Sequence, residues 1–135
     1  MPARPLRVLI ADDHRLFAES LMTALTADER LSVVGIAGDG SEAVKLSREL
    51  RPDLVLMDLN MPVLDGLSAT RQIKEEGLSP MVVLVTGEDV VAAGVNAADV
   101  GASAFVQKDQ SLDSFLTVLL EVASLSSLLL GTTRG

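Results

Sequence analysis

The chain has 135 residues, no cysteine and one histidine, and 19 acidic residues against 11 basic ones give a net charge of −8. That length fits one domain with one sizeable core. The composition excludes a disulfide framework and a thiolate or multi-histidine metal site, and the charge argues against these residues gripping a nucleic-acid backbone.

The predicted elements alternate in type. "LRVLIA" (6–11) reads as a strand running into Asp12 and Asp13. "HRLFAESLMTALTA" (14–27) repeats apolar residues at helical spacing. A strand follows over 31–38. A helix over 40–50 is opened by Ser41 and stopped by Pro52. "DLVLMD" (53–58) is a third strand. Residues 64–77 form a helix closed by Gly77. Strands are predicted over 81–87 and 103–108, with a weak helix over 88–101 between them. Gly94 and Asn96 lie inside that helix, and a mid-helix glycine costs roughly 1 kcal/mol relative to alanine. A last helix spans 110–125.

Five repeats of strand and helix imply a doubly wound α/β domain, its mostly parallel sheet covered on both faces. No signal peptide is evident, and no run reaches the roughly 20 apolar residues of a membrane span. A soluble cytoplasmic protein without membrane contact is the expectation.

Two strands end in acid, at Asp12–Asp13 and at Asp58. In a parallel sheet all C-terminal strand ends share one edge, where the binding crevice forms. If these two strands are neighbours, three carboxylates meet there, and their repulsion calls for a cation. A hard divalent ion such as magnesium suits an all-oxygen site. Thr86 and Lys108 end two further strands. Each has an ordinary explanation alone, as a turn starter or an edge residue. Together the five groups are an inventory for phosphoryl transfer: a carboxylate nucleophile (Asp58), a metal cluster, a hydroxyl donor and a cation.

The "DD" at 12–13, "DLNMPVLDG" at 58–66, "TG" at 86–87 and "KD" at 108–109 resemble the receiver domain of two-component response regulators. The likeness spans residues 6 to about 124, and "DDHRLF" with "KDQSLD" is similar to the NarL/FixJ (LuxR-type) subfamily. It implies a five-stranded, flavodoxin-like (CheY-like) sheet of order 2-1-3-4-5. It implies phosphorylation of Asp58 by a sensor histidine kinase. Mg2+, with Mn2+ as a substitute, would be held by Asp12, Asp13, Asp58 and the backbone carbonyl of Asn60. Lys108 would be the family lysine, Thr86 the switch hydroxyl and Phe105 the aromatic switch. Asn60 and Glu88 would tune the lifetime of the acyl phosphate. The resemblance implies no enzyme beyond self-phosphorylation and self-dephosphorylation. The expected layout is a receiver over 1–125 and a linker or disordered tail starting at 126–135, with DNA contacted only through an absent helix-turn-helix output domain.

Several residues carry plainer readings. Pro62 and Gly66 shape the loop after Asp58. His14 reads as a surface or N-cap-adjacent residue, because histidine binds magnesium poorly. Phe105 without the resemblance would be core. The weak 88–101 segment is expected to reorder, together with its flanks over 87–105, on phosphorylation. The last helix has more apolar residues than one buried stripe needs, which suggests a homodimer through it or through the 88–125 face. Rival readings are a stand-alone or degenerate receiver acting as a binding module or phosphorelay intermediate, and an aspartyl-nucleophile phosphatase. Asn60 stands where such phosphatases need a second acid.

Overall fold

Every residue of Leu54–Asp58 and of Met81–Thr86 is buried. This is the condition of central strands covered on both faces, and it is why their sequences are apolar without alternation. The computed structural model describes residues 4–79, 81–87, 101–108 and 111–134, with side chains of the last helix to 124. Its elements are β1 (Leu6–Ala11), α1 (Arg15–Thr26), β2 (Leu31–Ala37), α2 (Gly40–Leu50), β3 (Leu54–Asp58), α3 (Gly66–Glu75), β4 (Met81–Thr86), β5 (Ala104–Gln107) and α4 (Leu112–Arg134). The strands form one parallel sheet of order β2-β1-β3-β4-β5. The helix predicted over 88–101 lies almost wholly outside the described residues.

Alternate residues of each strand feed opposite faces. Val8, Ile10, Leu54, Leu56, Val83 and Val85 pack with Leu21 and Leu25 of α1 and with Phe115 and Leu119 of α4. Leu9, Val55, Met57, Val82 and Leu84 pack with Ala43 and Val44 of α2 and with Ala69 and Ile73 of α3. The domain is thus a three-layer sandwich, with helices on both faces of the sheet.

The starts of α2 and α3 follow side-chain hydrogen bonds, and the structure corrects three helix boundaries. Asp39, not Ser41, opens α2, its carboxylate accepting from the Glu42 N–H at 2.7 Å. Asp65 opens α3 by accepting from the Ser68 N–H at 2.9 Å, so Leu64 lies before the helix. A carboxylate at the N-cap satisfies an otherwise orphan amide, which a serine two positions later does not reach. The third correction is at the last helix, predicted over 110–125: α4 begins at Leu112 and runs 23 residues. Serine costs only about 0.5 kcal/mol against alanine in a helix, and no proline interrupts 111–134. At the end of α3, Gly77 adopts φ 65°. The Leu78 N–H bonds the Ile73 carbonyl at 3.0 Å and the Gly77 N–H bonds that of Lys74 at 3.2 Å. That closure needs a left-handed residue, and glycine supplies it without steric cost.

The loop after β3 turns tightly. The Leu64 N–H donates to the Pro62 carbonyl at 2.7 Å around Val63, whose φ is 70°. A β-branched residue in the left-handed region stores about 1–3 kcal/mol of strain. Two residues on, the Gly66 N–H donates to the Leu59 carbonyl at 3.0 Å. A Cβ on Gly66 would lie 2.1 Å from the Asp58 carbonyl oxygen. Gly66→Ala is expected to lower stability by about 1–3 kcal/mol through this overpacking, read as a lower urea midpoint. An unchanged midpoint would contradict the close approach. Ser47 of α2 is fully buried and its hydroxyl has no hydrogen-bond partner. Ser47→Ala is expected to gain about 1 kcal/mol in the same measurement, because it removes a desolvated polar atom.

Candidate functional site

The register of the sheet aligns three strand ends. Ala11 pairs with Met57, Asp58 with Val85, and Thr86 with Gln107. Ladder-type hydrogen bonds continue one residue further. The Asp12 N–H donates to the Ala37 carbonyl at 3.0 Å, Leu59 to Val85 at 2.9 Å, and Lys108 to Thr86 at 2.8 Å. Asp12, Asp58 and Lys108 are therefore held by the sheet although two of them lie past its assigned ends.

The Lys108 ammonium closes the arrangement. Its Nζ lies 2.9 Å from Asp12 Oδ2, 3.2 Å from Asp58 Oδ2 and 3.0 Å from His14 Nδ1. Three donors meet three acceptors. An ammonium accepts nothing, so in this contact His14 Nδ1 is the acceptor. The same nitrogen is 3.2 Å from Asp12 Oδ1 and 3.4 Å from Asp13 Oδ1, and it cannot donate to either while it accepts from Lys108. Asp12 Oδ1 instead accepts the His14 backbone N–H at 2.8 Å, which sets the start of α1. The ammonium also stands 4.9 Å from the ring centroid of Phe17, whose ring meets Phe115 edge-on at 5.8 Å. The site is thus continuous with the core under α1 and α4.

The structure brings Asp12, Asp13, Asp58 and Lys108 together. One carboxylate oxygen of each of the three aspartates and a ring nitrogen of His14 lie within 4.8 Å of one another. Three carboxylates converging on one point are the oxygen-rich donor set that a hard divalent cation takes. Thr86 is fully buried at the end of β4, one residue past the partner of Asp58. Asn60 is exposed, and its N–H faces Asp58 Oδ1 at 3.3 Å. Phe105 is half-buried, pairs with Leu84 across the sheet and packs on the core beneath α2 and α3. Glu88 lies outside the described residues. His14 is exposed and sits at the N-cap of α1, as its sequence context suggests. Its ring nevertheless belongs to the cluster, which that context alone does not reveal. The available signal was its place directly after the acidic pair.

Residues 8–120 match the family described as "Response regulator receiver domain". The chain belongs to this family. Among curated relatives it is 43% identical over 105 residues to protein-glutamate methylesterase/protein-glutamine glutaminase 2 of Anaeromyxobacter dehalogenans, covering 78% of this chain and 30% of that protein. It is 38% identical over 109 residues to the transcriptional regulatory protein YdfI of Bacillus subtilis, covering 80% and 50%. The receiver thus spans between about a third and a half of these relatives. Among solved structures it resembles the signal receiver domain of the NarL response regulator of Mycobacterium tuberculosis, at TM-score 0.83 and 31% identity over 90% of this chain and 98% of that one. A LuxR-family regulator of Aurantimonas matches at TM-score 0.78 and 29% identity, over 89% and 86%. The fold is the one typical of phosphorylation-based signalling switches, and some relatives are transcriptional regulators. Among the described residues no helix is long and apolar enough to cross a membrane.

Electrostatics in this receiver are unbalanced at the pocket. Burial pushes the Asp58 carboxyl above the ordinary aspartate range, and the negative charge of Asp12 pushes it further. Lys108 and the Asn60 N–H pull the other way without cancelling this. Burial also opposes the Lys108 charge, but the hydrogen bond to Asp12 and the charges of Asp58 and Asp12 outweigh it and hold the ammonium above the usual lysine value. The native state therefore binds the Asp58 proton more tightly than the unfolded chain does. Stability falls as pH rises from the ordinary aspartate range through the raised value, and the full penalty is present above it. Asp58→Asn is expected to unfold at higher urea than wild type at neutral pH. The gain should shrink as pH drops below the ordinary aspartate range. Equal midpoints at neutral pH would contradict this.

Proposed function

We propose that this receiver accepts a phosphoryl group on Asp58 from a phosphohistidine of a sensor histidine kinase. The observation that carries the reading is the Lys108 ammonium, 3.2 Å from Asp58 Oδ2 and 2.9 Å from Asp12 Oδ2 at the common strand edge. Asp58 attacks phosphorus through a carboxylate oxygen. The O–P bond forms as the P–N bond of the donor breaks, and the donor imidazole keeps the electron pair. Burial around β3 fixes the direction of the nucleophile, so little orientation is lost in the transition state. Lys108 compensates the negative charge on the phosphoryl oxygens, and the Thr86 hydroxyl donates to another. A bound Mg2+ or Mn2+ supplies Lewis-acid stabilisation of those oxygens. Asp12, Asp13, Asp58 and the Asn60 carbonyl are the groups to hold it.

In the same reading Thr86 and Phe105 relay the phosphorylated state, and Asn60 and Glu88 set its lifetime. Similarity to YdfI supports a transcriptional output, through a DNA-binding domain beyond this receiver. A second output is favoured by identity alone. Receivers of two protein-glutamate methylesterases match at 43% and 46%, against 38% for YdfI. Dimerisation through α4 would couple either output to phosphorylation.

Mass spectrometry after incubation with acetyl phosphate and Mg2+ is the test. The expected result is one added phosphoryl group on Asp58, absent in Asp58→Asn and strongly reduced in Lys108→Met. Label on another side chain, or steady turnover of simple phosphoesters, would overturn the proposal.

A further inference from the structure

His14 takes no part in the phosphoryl chemistry just described, yet its ring lies in the pocket. Its backbone is fixed at the N-cap of α1, with the N–H on Asp12 Oδ1 at 2.8 Å and the carbonyl accepting from the Ala18 N–H at 3.0 Å. The side chain makes no capping hydrogen bond, so α1 does not need the imidazole. What the ring does is offer the Nδ1 lone pair to a cation, the Lys108 ammonium, at 3.0 Å. The ligand atoms of Asp12, Asp13 and Asp58 lie within 4.8 Å of a nitrogen of this same ring.

We infer that His14 is a nitrogen ligand of this pocket and tilts its preference from Mg2+ toward late first-row divalent cations such as Co2+, Ni2+ and Zn2+. The inference rests on the reading of the three aspartates as the metal pocket. Imidazole suits these later ions, whose affinity for mixed nitrogen and oxygen sites rises along the row, whereas Mg2+ prefers oxygen and keeps much of its water. The exchange at Nδ1 is of one cation for another. The lone pair passes from the ammonium to the metal ion, while Lys108 keeps its proton and has two carboxylates left to bond. At 68% side-chain exposure the ring can adjust to an incoming ion without disturbing the core.

The chain has a single histidine, so its ring signals in an NMR spectrum are unambiguous. Untagged protein, His14→Gln and Asp13→Asn are titrated with Mg2+ and with Ni2+ by calorimetry, and wild type is titrated with Co2+ by NMR. The Ni2+ affinity of His14→Gln is expected to fall about tenfold or more, with its Mg2+ affinity within about twofold of wild type. Co2+ is expected to displace the His14 ring signals by paramagnetic shift. Equal Ni2+ affinity in wild type and His14→Gln, or ring signals unmoved at saturating Co2+, would overturn the inference. If Asp13→Asn loses both ions while His14→Gln loses neither, only the role of His14 falls. If Asp13→Asn binds both as wild type does, the metal pocket itself falls.

Discussion

Two buried carboxylates, Asp12 and Asp58, share one ammonium. Burial and mutual repulsion raise the Asp58 carboxyl, and Lys108 offsets part of that cost. A buried charge pair contributes little net stability, because desolvation consumes most of the Coulomb gain. The pocket is better understood as stored electrostatic imbalance. It favours any event that brings in positive charge or exchanges a bare carboxylate for a ligated one.

That imbalance depends on geometry set elsewhere. The parallel register brings the ends of β1, β3 and β4 level, and ladder hydrogen bonds extend the sheet's hold to Asp12 and Lys108. Gly66 lets α3 begin almost in contact with the Asp58 carbonyl. The strained turn at Val63 sits in the intervening loop. Phe17 and Phe115 tie the ammonium to the core.

The relatives share this domain over part of their own length. A methylesterase and a transcriptional regulator both match most of the present chain with less than two thirds of their own residues. What they have in common with this chain is therefore the receiver fold and its strand-edge pocket.

The sequence by itself determined the alternation of strands and helices, because fully buried strands must be apolar throughout and the covering helices must be amphipathic. It also determined which acids end strands, since Asp12 and Asp58 directly follow apolar runs. The strand order came from resemblance, because hydrophobic runs do not say which neighbour they pair with. Helix starts at Asp39 and Asp65 depended on which carboxylate reached an amide, a choice among nearby polar residues that pattern does not make. Only the tertiary structure decided that the His14 ring meets Lys108. That contact joins residues 94 positions apart, and it arises because β1 and β5 end on the same edge of a sheet whose long-range pairing no local run of residues encodes.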